Sequence, residues 1–201
     1  MGGSMKVLSV GKSRTAPILL SAARDGEEAI GYRLSEGEYR SIGAPRAGDI
    51  LPEEIAAKVF AYDARHRARS AAARILAFSE NNRAMLIRKL RARGFAAVLA
   101  EQVADEMCER GYIREGDQLE RAVLAAVKKL WGPRRIADAL AAKGFAREEV
   151  LSCIDRLRAA GEIDFAESRR VLIEKKLSAK AGYTERRALL YRYGHTAADE
   201  D

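Results

Sequence analysis

The side chains best suited to catalysis or metal binding are few and scattered in this 201-residue sequence. Its two histidines, His66 and His195, lie far apart, with no cysteine or carboxylate at the spacing of a metal or catalytic site. Cys108 and Cys153 form no Cys-x-x-Cys pair. We therefore interpret the histidines as solvated or partly packed and the cysteines as buried apolar residues. We expect no enzyme activity, no metal and no cofactor.

Basic side chains give the stronger signal, because five of them fall within residues 83–93 with no acid between. A second group spans a Gly-Pro turn, and a third lies on a later helix. The candidate binding residues are Arg83, Arg88, Lys89, Arg91, Arg93, Lys128, Lys129, Arg134, Arg135, Arg169, Arg170, Lys175 and Lys176. Such clusters suit a polyanion, either nucleic acid or an acidic protein surface. The alternative is that these charges only solvate the outer face of a helical protein.

The charge is unevenly divided along the chain, which has 36 basic and 29 acidic residues and a net charge of +7. Residues 1–55 hold seven basic and eight acidic side chains, and residues 56–201 hold 29 and 21. The second part is therefore the basic one. No apolar run approaches the roughly 18 residues of a membrane span, and two unpaired cysteines favour a reducing compartment. We expect a cytoplasmic monomer with no membrane contact.

A repeat of fifty residues positions the basic clusters. Leu90, Gly94 and Phe95 return as Leu140, Gly144 and Phe145, and the register continues to Leu190, Gly194 and His195. A fixed period of this length is typical of stacked repeats that bury a shared core. We predict that Gly94, Gly144 and Gly194 end short helices in the left-handed conformation, and that Phe95 and Phe145 are buried behind them.

Each repeat is predicted to contain three helices. Leu119, Val123, Val127 and Leu130 form the stripe of the helix between the first two short-helix units. We predict that Asp117 and Glu120 cap its start as a capping box. Gly132-Pro133 separates it from the next helix. Asn81-Asn82 occupies the corresponding place in the first repeat, where we expect it to end a helix.

The first fifty residues differ, since Lys6–Val10, Pro17–Ala22 and Ala29–Leu34 have the pattern of short strands. After them, the Ser-x-x-Glu spacing of Ser35 and Glu38 predicts a capping box before a single helical turn. We predict a mainly α protein of tandem three-helix repeats in an elongated, curved array, preceded by a small antiparallel β subdomain. The predicted divisions are residues 1–51 for the β-rich subdomain (1–4 being an expression-vector remnant), 52–113 for repeat 1, 114–163 for repeat 2, and 164–201 for repeat 3. We expect repeat 3 to lack a full last helix and its tail, 199–201, to be frayed.

These motifs resemble the RecX family of bacterial recombination regulators. Leu90–Phe95 and Leu140–Phe145 are similar to the family's Leu-x-x-Lys-Gly-Phe element, and Gly132–Ile136 is similar to its Gly-x-x-Arg-Ile stretch. Gly111–Ile113 and Gly161–Asp164 resemble the element that closes each family repeat. The strand-rich start resembles the β extension of some members.

The resemblance implies a function that the residues alone do not give. Members of the family bind the RecA recombinase, lie in the groove of its filament on DNA, and inhibit strand exchange, ATP hydrolysis and coprotease activity. A RecA filament on DNA is therefore the expected partner. Two alternatives stay open: a helical module that binds single- or double-stranded DNA directly, and, least favoured, an enzyme or metal protein.

Overall fold

The computed structural model describes residues 4–12, 17–24 and 26–196. The fold is mainly α-helical with a small antiparallel sheet at its N-terminal end, as the sequence predicts. The elements, in chain order, are β1 Met5–Gly11, β2 Ile18–Arg24, β3 Ile30–Leu34, α1 Glu36–Ser41, β4 Ile50–Leu51, α2 Glu53–Phe78, α3 Arg83–Arg91, α4 Ala97–Glu109, α5 Glu115–Val127, α6 Pro133–Ala141, α7 Arg147–Ala159, α8 Phe165–Lys176 and α9 Tyr183–Tyr193.

The chain forms two compact units, and their boundary crosses α3 and α4. Unit 1 contains residues 1–77 and 89–104, and unit 2 contains residues 78–88 and 105–201. The limits of the three repeats and the elongated shape therefore stay predictions. The interpretations of Met1–Gly3 and Asp199–Asp201 fall outside the described residues.

In unit 1, the four strands have the order β3-β2-β1-β4 and every neighbouring pair is antiparallel. Alternating residues such as Met5 and Val7 of β1 face the core, where they are fully buried. Val59 of α2 belongs to the same core cluster. Asp63, also on α2, accepts a hydrogen bond of 3.0 Å from the backbone N–H of Arg33 on β3. This contact ties α2 to the sheet.

The helix starts confirm one predicted cap and contradict two others. Ser35 and Glu38 form the expected capping box of α1. α5 instead begins at Glu115 after Arg114, with no side-chain cap, so the predicted Asp117–Glu120 box is wrong. Asn82 does not end a helix: its side-chain oxygen accepts a 2.8 Å hydrogen bond from the Met85 N–H, at the start of α3. An Asn side chain that accepts this hydrogen bond is a typical N-cap.

The core of unit 2 is formed largely by α5, α6 and α7. Its fully buried residues include Val123, Ile136 and Leu157, from these three helices. Phe145 packs at the edge of this cluster but is only half-buried, and Phe95 in unit 1 is half-buried as well. The prediction that both rings are buried is therefore wrong. Each ring follows a helix end, and the chain there leaves it partly exposed.

The predicted left-handed glycines are confirmed at all three positions. Gly94, Gly144 and Gly194 have φ angles of 86°, 97° and 86°. This conformation strains any residue with a Cβ atom. α3, α6 and α9 therefore end at the places that the repeat predicts.

Candidate polyanion-binding surface

The first basic cluster mixes exposed charges with a paired one. Arg88, Arg91 and Arg93 are exposed, whereas Arg83 and Lys89 are half-buried. The Arg83 guanidinium makes a two-pronged ion pair with Asp105, at 2.5 Å and 3.1 Å. Because the boundary between the units follows Arg88, Arg83 and Arg88 belong to unit 2 and the other three to unit 1.

The ion pair determines what Arg83 can offer a partner. Its hydrogen bonds lower the pKa of Asp105 below the ordinary value of 3.8. The carboxylate therefore stays charged at neutral pH and offsets the Arg83 charge. Of this cluster, the exposed Arg88, Arg91 and Arg93 are better placed than Arg83 to meet an anion. Arg93 also donates a 3.2 Å hydrogen bond to the Lys89 carbonyl oxygen.

The second cluster surrounds the single tryptophan of the chain. The Lys129 ammonium lies 5.3 Å from the centroid of the Trp131 ring, and the Arg135 guanidinium lies 4.4 Å from it. Arg135 is also 5.3 Å from the centroid of the Tyr193 ring. Arg134 lies 3.8 Å from the centroid of the Tyr191 ring. Such contacts are typical cation–π geometry, and we call these six residues the cation–aromatic cluster.

Two arginines of this cluster also bind the backbone at the end of α9. Arg134 donates a 2.6 Å hydrogen bond to the Tyr191 carbonyl oxygen, and Arg135 donates one of 3.4 Å to the Arg192 carbonyl oxygen. These carbonyls lie in the last turn of α9, and that of Tyr191 also accepts a 3.1 Å hydrogen bond from the Gly194 N–H. Arg134 and Arg135 thus hold α9 against α6, in addition to any role toward a partner. Both are half-buried.

The third cluster lies on α8. Arg170 forms ion pairs with Glu167, at 2.7 Å, and with Glu174, at 3.5 Å, and Arg169 is half-buried. Lys175 and Lys176 are exposed in the last turn of α8, where positive charge suits the helix dipole. The exposed predicted residues without an ion pair among the described parts of the chain are Arg88, Arg91, Arg93, Lys128, Lys129, Lys175 and Lys176.

The histidines and cysteines, which are the side chains best suited to catalysis or metal binding, make contacts within the fold. His195 is 2 % exposed, and its Nε2 lies 3.1 Å from the Leu130 carbonyl oxygen, so its interpretation as solvated or partly packed is wrong. The repeat places it where Phe95 and Phe145 stand, which was a signal for packing. His66 Nε2 lies 2.7 Å from Glu38 Oε2. Cys153 is buried, as expected, but Cys108 is half-buried, so the interpretation of both cysteines as buried is wrong for Cys108.

The rings of the cation–aromatic cluster were missed by sequence reasoning. Trp131 lies about sixty residues before Tyr191 and Tyr193, and no motif links it to them. The useful signal was the repeat itself, which aligns the end of α9 with the end of α6. Within 4–12, 17–24 and 26–196, no group of three or more His, Cys, Asp or Glu side chains is arranged to hold a metal ion. No described helix is long and apolar enough to cross a membrane.

Comparison with known proteins identifies the family. A protein described as regulatory protein RecX from Halorhodospira halophila (strain DSM 244 / SL1) is 33% identical over an alignment of 147 residues. The match covers 66% of this chain and 89% of that protein. The chain belongs to the RecX family. Regulatory protein RecX of Pseudomonas putida is 32% identical over 106 residues, 53% of this chain and 72% of its own length. No family model matches the sequence.

Solved structures support the fold of this RecX-family chain. A crystal structure of regulatory protein RecX superposes with a TM-score of 0.70 at 16% identity, and the match covers 99% of this chain and 97% of the other. RecX from Lactobacillus salivarius superposes with a TM-score of 0.56 at 16% identity, covering 68% and 92%. At these identities the likeness concerns the arrangement of helices and strands.

Proposed function

We propose that this chain binds RecA-type recombinase filaments on DNA and inhibits their ATPase, strand-exchange and coprotease activities. Membership of the RecX family, whose relatives are described as regulatory proteins, is the observation that supports this most directly. The exposed basic residues of unit 2, among them Arg88, Lys128 and Lys175, agree with a partner that carries DNA phosphates and acidic side chains.

The charge of α3 supplies the sharpest test. Arg88 and Arg91 are exposed and lie outside the buried stripe of Leu86 and Leu90. Reversing both charges, as Arg88→Glu with Arg91→Glu, changes the local charge by four units and should leave the melting temperature nearly unchanged, as exposed substitutions do. The measurement is inhibition of recombinase ATP hydrolysis on single-stranded DNA. We expect at least a tenfold higher half-inhibitory concentration, on the order of what losing several ionic contacts costs.

A matched control separates local from global charge effects. Arg74→Glu with Arg158→Glu makes the same four-unit change at two exposed positions, on α2 and α7. This control should inhibit within about twofold of the wild type, since most surface changes away from a site are nearly neutral. If the wild type does not inhibit the recombinase, the proposed function is wrong. If the two double variants lose inhibition equally, net charge rather than α3 determines binding.

The second candidate function is direct binding of single-stranded nucleic acid, and the cation–aromatic cluster favours it. Exposed rings beside basic side chains are what sequence-tolerant base stacking uses, and Tyr191 is 64 % exposed. Trp131 is the only tryptophan, so its fluorescence reports on this cluster alone. Quenching by an oligonucleotide, with an affinity that falls steeply as salt rises, would favour this function. Unchanged fluorescence at saturating oligonucleotide would exclude stacking here.

A further inference from the structure

In unit 2, the ends of two helices accept hydrogen bonds from the starts of other helices. At the first junction, Asn82 before α3 donates a 3.0 Å hydrogen bond from Nδ2 to the Lys143 carbonyl oxygen at the end of α6. At the second junction, the Gly132 N–H donates to the Tyr193 carbonyl oxygen at 2.8 Å, and the Arg134 N–H donates to that of Gly194 at 3.2 Å. Free N–H groups and positive partial charge at a helix start match free carbonyls and negative partial charge at a helix end.

The start of α9 has the same construction, and no residue of the described ranges covers it. Gly182, its N-cap, has φ −75° and ψ 172°, against φ −82° and ψ 169° for Gly132, the N-cap of α6. A Cβ atom added at Gly132 would collide with His195 and Gly194, whereas one at Gly182 would meet no atom of the described residues within 4 Å. Residues 182–188 are all exposed, whereas 132–137 are buried or half-buried.

A second observation on the same helix is independent of its start. Tyr183, Arg187 and Tyr191 are spaced i, i+4 and i+8, so they lie along one face. Tyr183 is 75 % exposed and Tyr191 is 64 % exposed. Tyrosine and arginine are the side chains enriched where protein partners bind most strongly. An outward face with two exposed tyrosines around an arginine therefore has the composition of a protein-binding surface.

The charge of this surface restricts its occupant. Lys180, Arg186 and Arg187 are exposed around the start of α9. The nearby carboxylate of Glu185 accepts a 3.2 Å hydrogen bond from the Gly182 N–H, which directs it to the cap. Three positive charges and the one negative charge of Glu185, which is also exposed, leave a net charge of +2 here. The α3 end of another copy, at Gly94 between Arg91, Arg93 and their neighbours, would place basic side chains against basic ones.

We propose that the start of α9, with the face formed by Tyr183, Arg187 and Tyr191, docks an acidic helix end of a protein partner. The partner would offer the carbonyls of a last helical turn to Gly182, as α9 offers its own to Gly132. Its carboxylates would meet Arg186 and Arg187. Since this rests on the proposed function, the partner is a recombinase of the filament, and the contact is with its protein surface rather than with DNA.

The test measures binding to two probes. One probe is a recombinase filament on labelled single-stranded DNA, assembled with a non-hydrolysable ATP analogue, and the other is the same DNA without recombinase. Arg187→Glu should weaken filament binding at least tenfold, on the order of losing a central arginine contact, and change binding to bare DNA less than about twofold. The control Arg158→Glu reverses a charge on α7 that is also exposed, and it should affect neither probe.

Each outcome decides the proposal. Unchanged filament binding by a normally melting Arg187→Glu variant would mean that the start of α9 is a solvated end. Equal losses on both probes would assign this face to nucleic acid. Failure of the wild type to bind the filament would overturn the proposed function, and it is distinct from failure of the variant alone. Photocrosslinking from p-benzoylphenylalanine at position 183 to an acidic recombinase helix would support the proposal directly, and crosslinking to DNA alone would overturn it.

Discussion

The two junctions of unit 2 share one backbone arrangement and differ in the side chains that complete it. At the first, the left-handed Gly144 approaches Ala84, and the contact is made by the Asn82 amide. At the second, the left-handed Gly194 approaches Arg135, and backbone N–H groups and guanidinium groups supply the hydrogen bonds. A small polar cap is sufficient at one junction, while the other uses arginines and aromatic rings.

The difference shows that a basic residue in this array has more than one role. Arg134 and Arg135 were predicted as binding residues, and the structure gives each a hydrogen bond to the end of α9 as well. Arg88 has the same sequence character but is exposed. Substitutions at the second junction therefore risk altering stability and binding together. The first cluster and the start of α9 are better places to test binding.

Replacing each of the three left-handed glycines with alanine should show how much each junction contributes to stability. These substitutions have the largest expected effect on the free energy of unfolding. All three substitutions force a Cβ atom into left-handed backbone, at about 1–2 kcal/mol each. At Gly194 the new atom would also lie 2.5 Å from the Arg135 nitrogen, which cannot rotate away, and at Gly144 it would lie 2.5 Å from the Ala84 Cβ. Overpacking adds about 1–3 kcal/mol. Urea unfolding should show losses in the order Gly194→Ala, Gly144→Ala, Gly94→Ala.

Gly94→Ala is the control in this series, since its φ is 86° and nothing lies within 4 Å of the added atom. Gly94→Ala should therefore lose only the stability that a Cβ atom in left-handed backbone costs, without the overpacking cost. Equal losses at all three positions would mean that the ends of α6 and α9 do not press on the starts of α3 and α6. The comparison between the junctions would then have no energetic basis.

Alanine at the two N-cap glycines removes backbone strain from the comparison and should have the next largest effect. Neither Gly132 nor Gly182 has a positive φ. Gly132→Ala should cost about 1–3 kcal/mol through overpacking against His195 and Gly194. Gly182→Ala should cost less than about 1 kcal/mol, the ordinary preference for glycine over alanine at a cap. Chemical denaturation of both variants measures the difference in stability. Similar losses would contradict the conclusion that the start of α6 is covered and the start of α9 is open.

Much of this fold could be predicted from the sequence, because its signals are local. Gly94, Gly144 and Gly194 end helices for a backbone reason that a single residue type reveals. The Ser35–Glu38 capping box is equally local. The Asp117–Glu120 box does not form. Its sequence pattern is short, and α5 already begins two residues earlier, at the charged residue Glu115.

The candidate site was harder to predict, because its contacts join distant residues. The Trp131–Arg135 contact is local, but the Arg134–Tyr191 contact spans 57 residues and depends on how one helix docks on another. Composition marked Arg83 as a binding residue, but it did not show that Asp105 neutralises it. Charge counting found the basic surface and could not separate the structural arginines from the exposed ones.

Replacing Arg135 with lysine should test the second junction at an intermediate scale. Lysine keeps the charge but loses the planar group that lies beside the Trp131 and Tyr193 rings. We expect a loss of about 1 kcal/mol, the typical size of a partly buried cation–π contact, together with a shift in Trp131 fluorescence. Arg88→Lys at the exposed position should change neither stability nor fluorescence. An unchanged Arg135→Lys variant would show that the ring contacts contribute nothing.

Acid should weaken the first junction selectively, with the smallest effect of the series. The Arg83–Asp105 pair lies beside Asn82 and is half-exposed, with side-chain exposures of 41% and 50%, so it contributes only about 0.2–1 kcal/mol. The Arg83 hydrogen bonds lower the pKa of Asp105 in the folded state below its ordinary 3.8. Its stabilisation is therefore complete above about pH 5 and is lost as the pH falls through the lowered folded value.

Asp105→Asn removes this dependence and provides the measurement. At pH 7 the wild type should be slightly more stable in urea than Asp105→Asn, and the difference should shrink as the pH falls below 3.8 and vanish below the lowered folded pKa of Asp105, where the wild-type carboxylate is protonated as well. The deficit of Arg135→Lys should stay constant over the same range, because the contacts of Arg135 are with two rings and a carbonyl oxygen rather than a carboxylate. A deficit of Asp105→Asn that does not shrink at all as the pH falls below 3.8 would mean that its amide disturbs the packing of α4. The chemical contrast between the junctions would then rest on Arg135 alone.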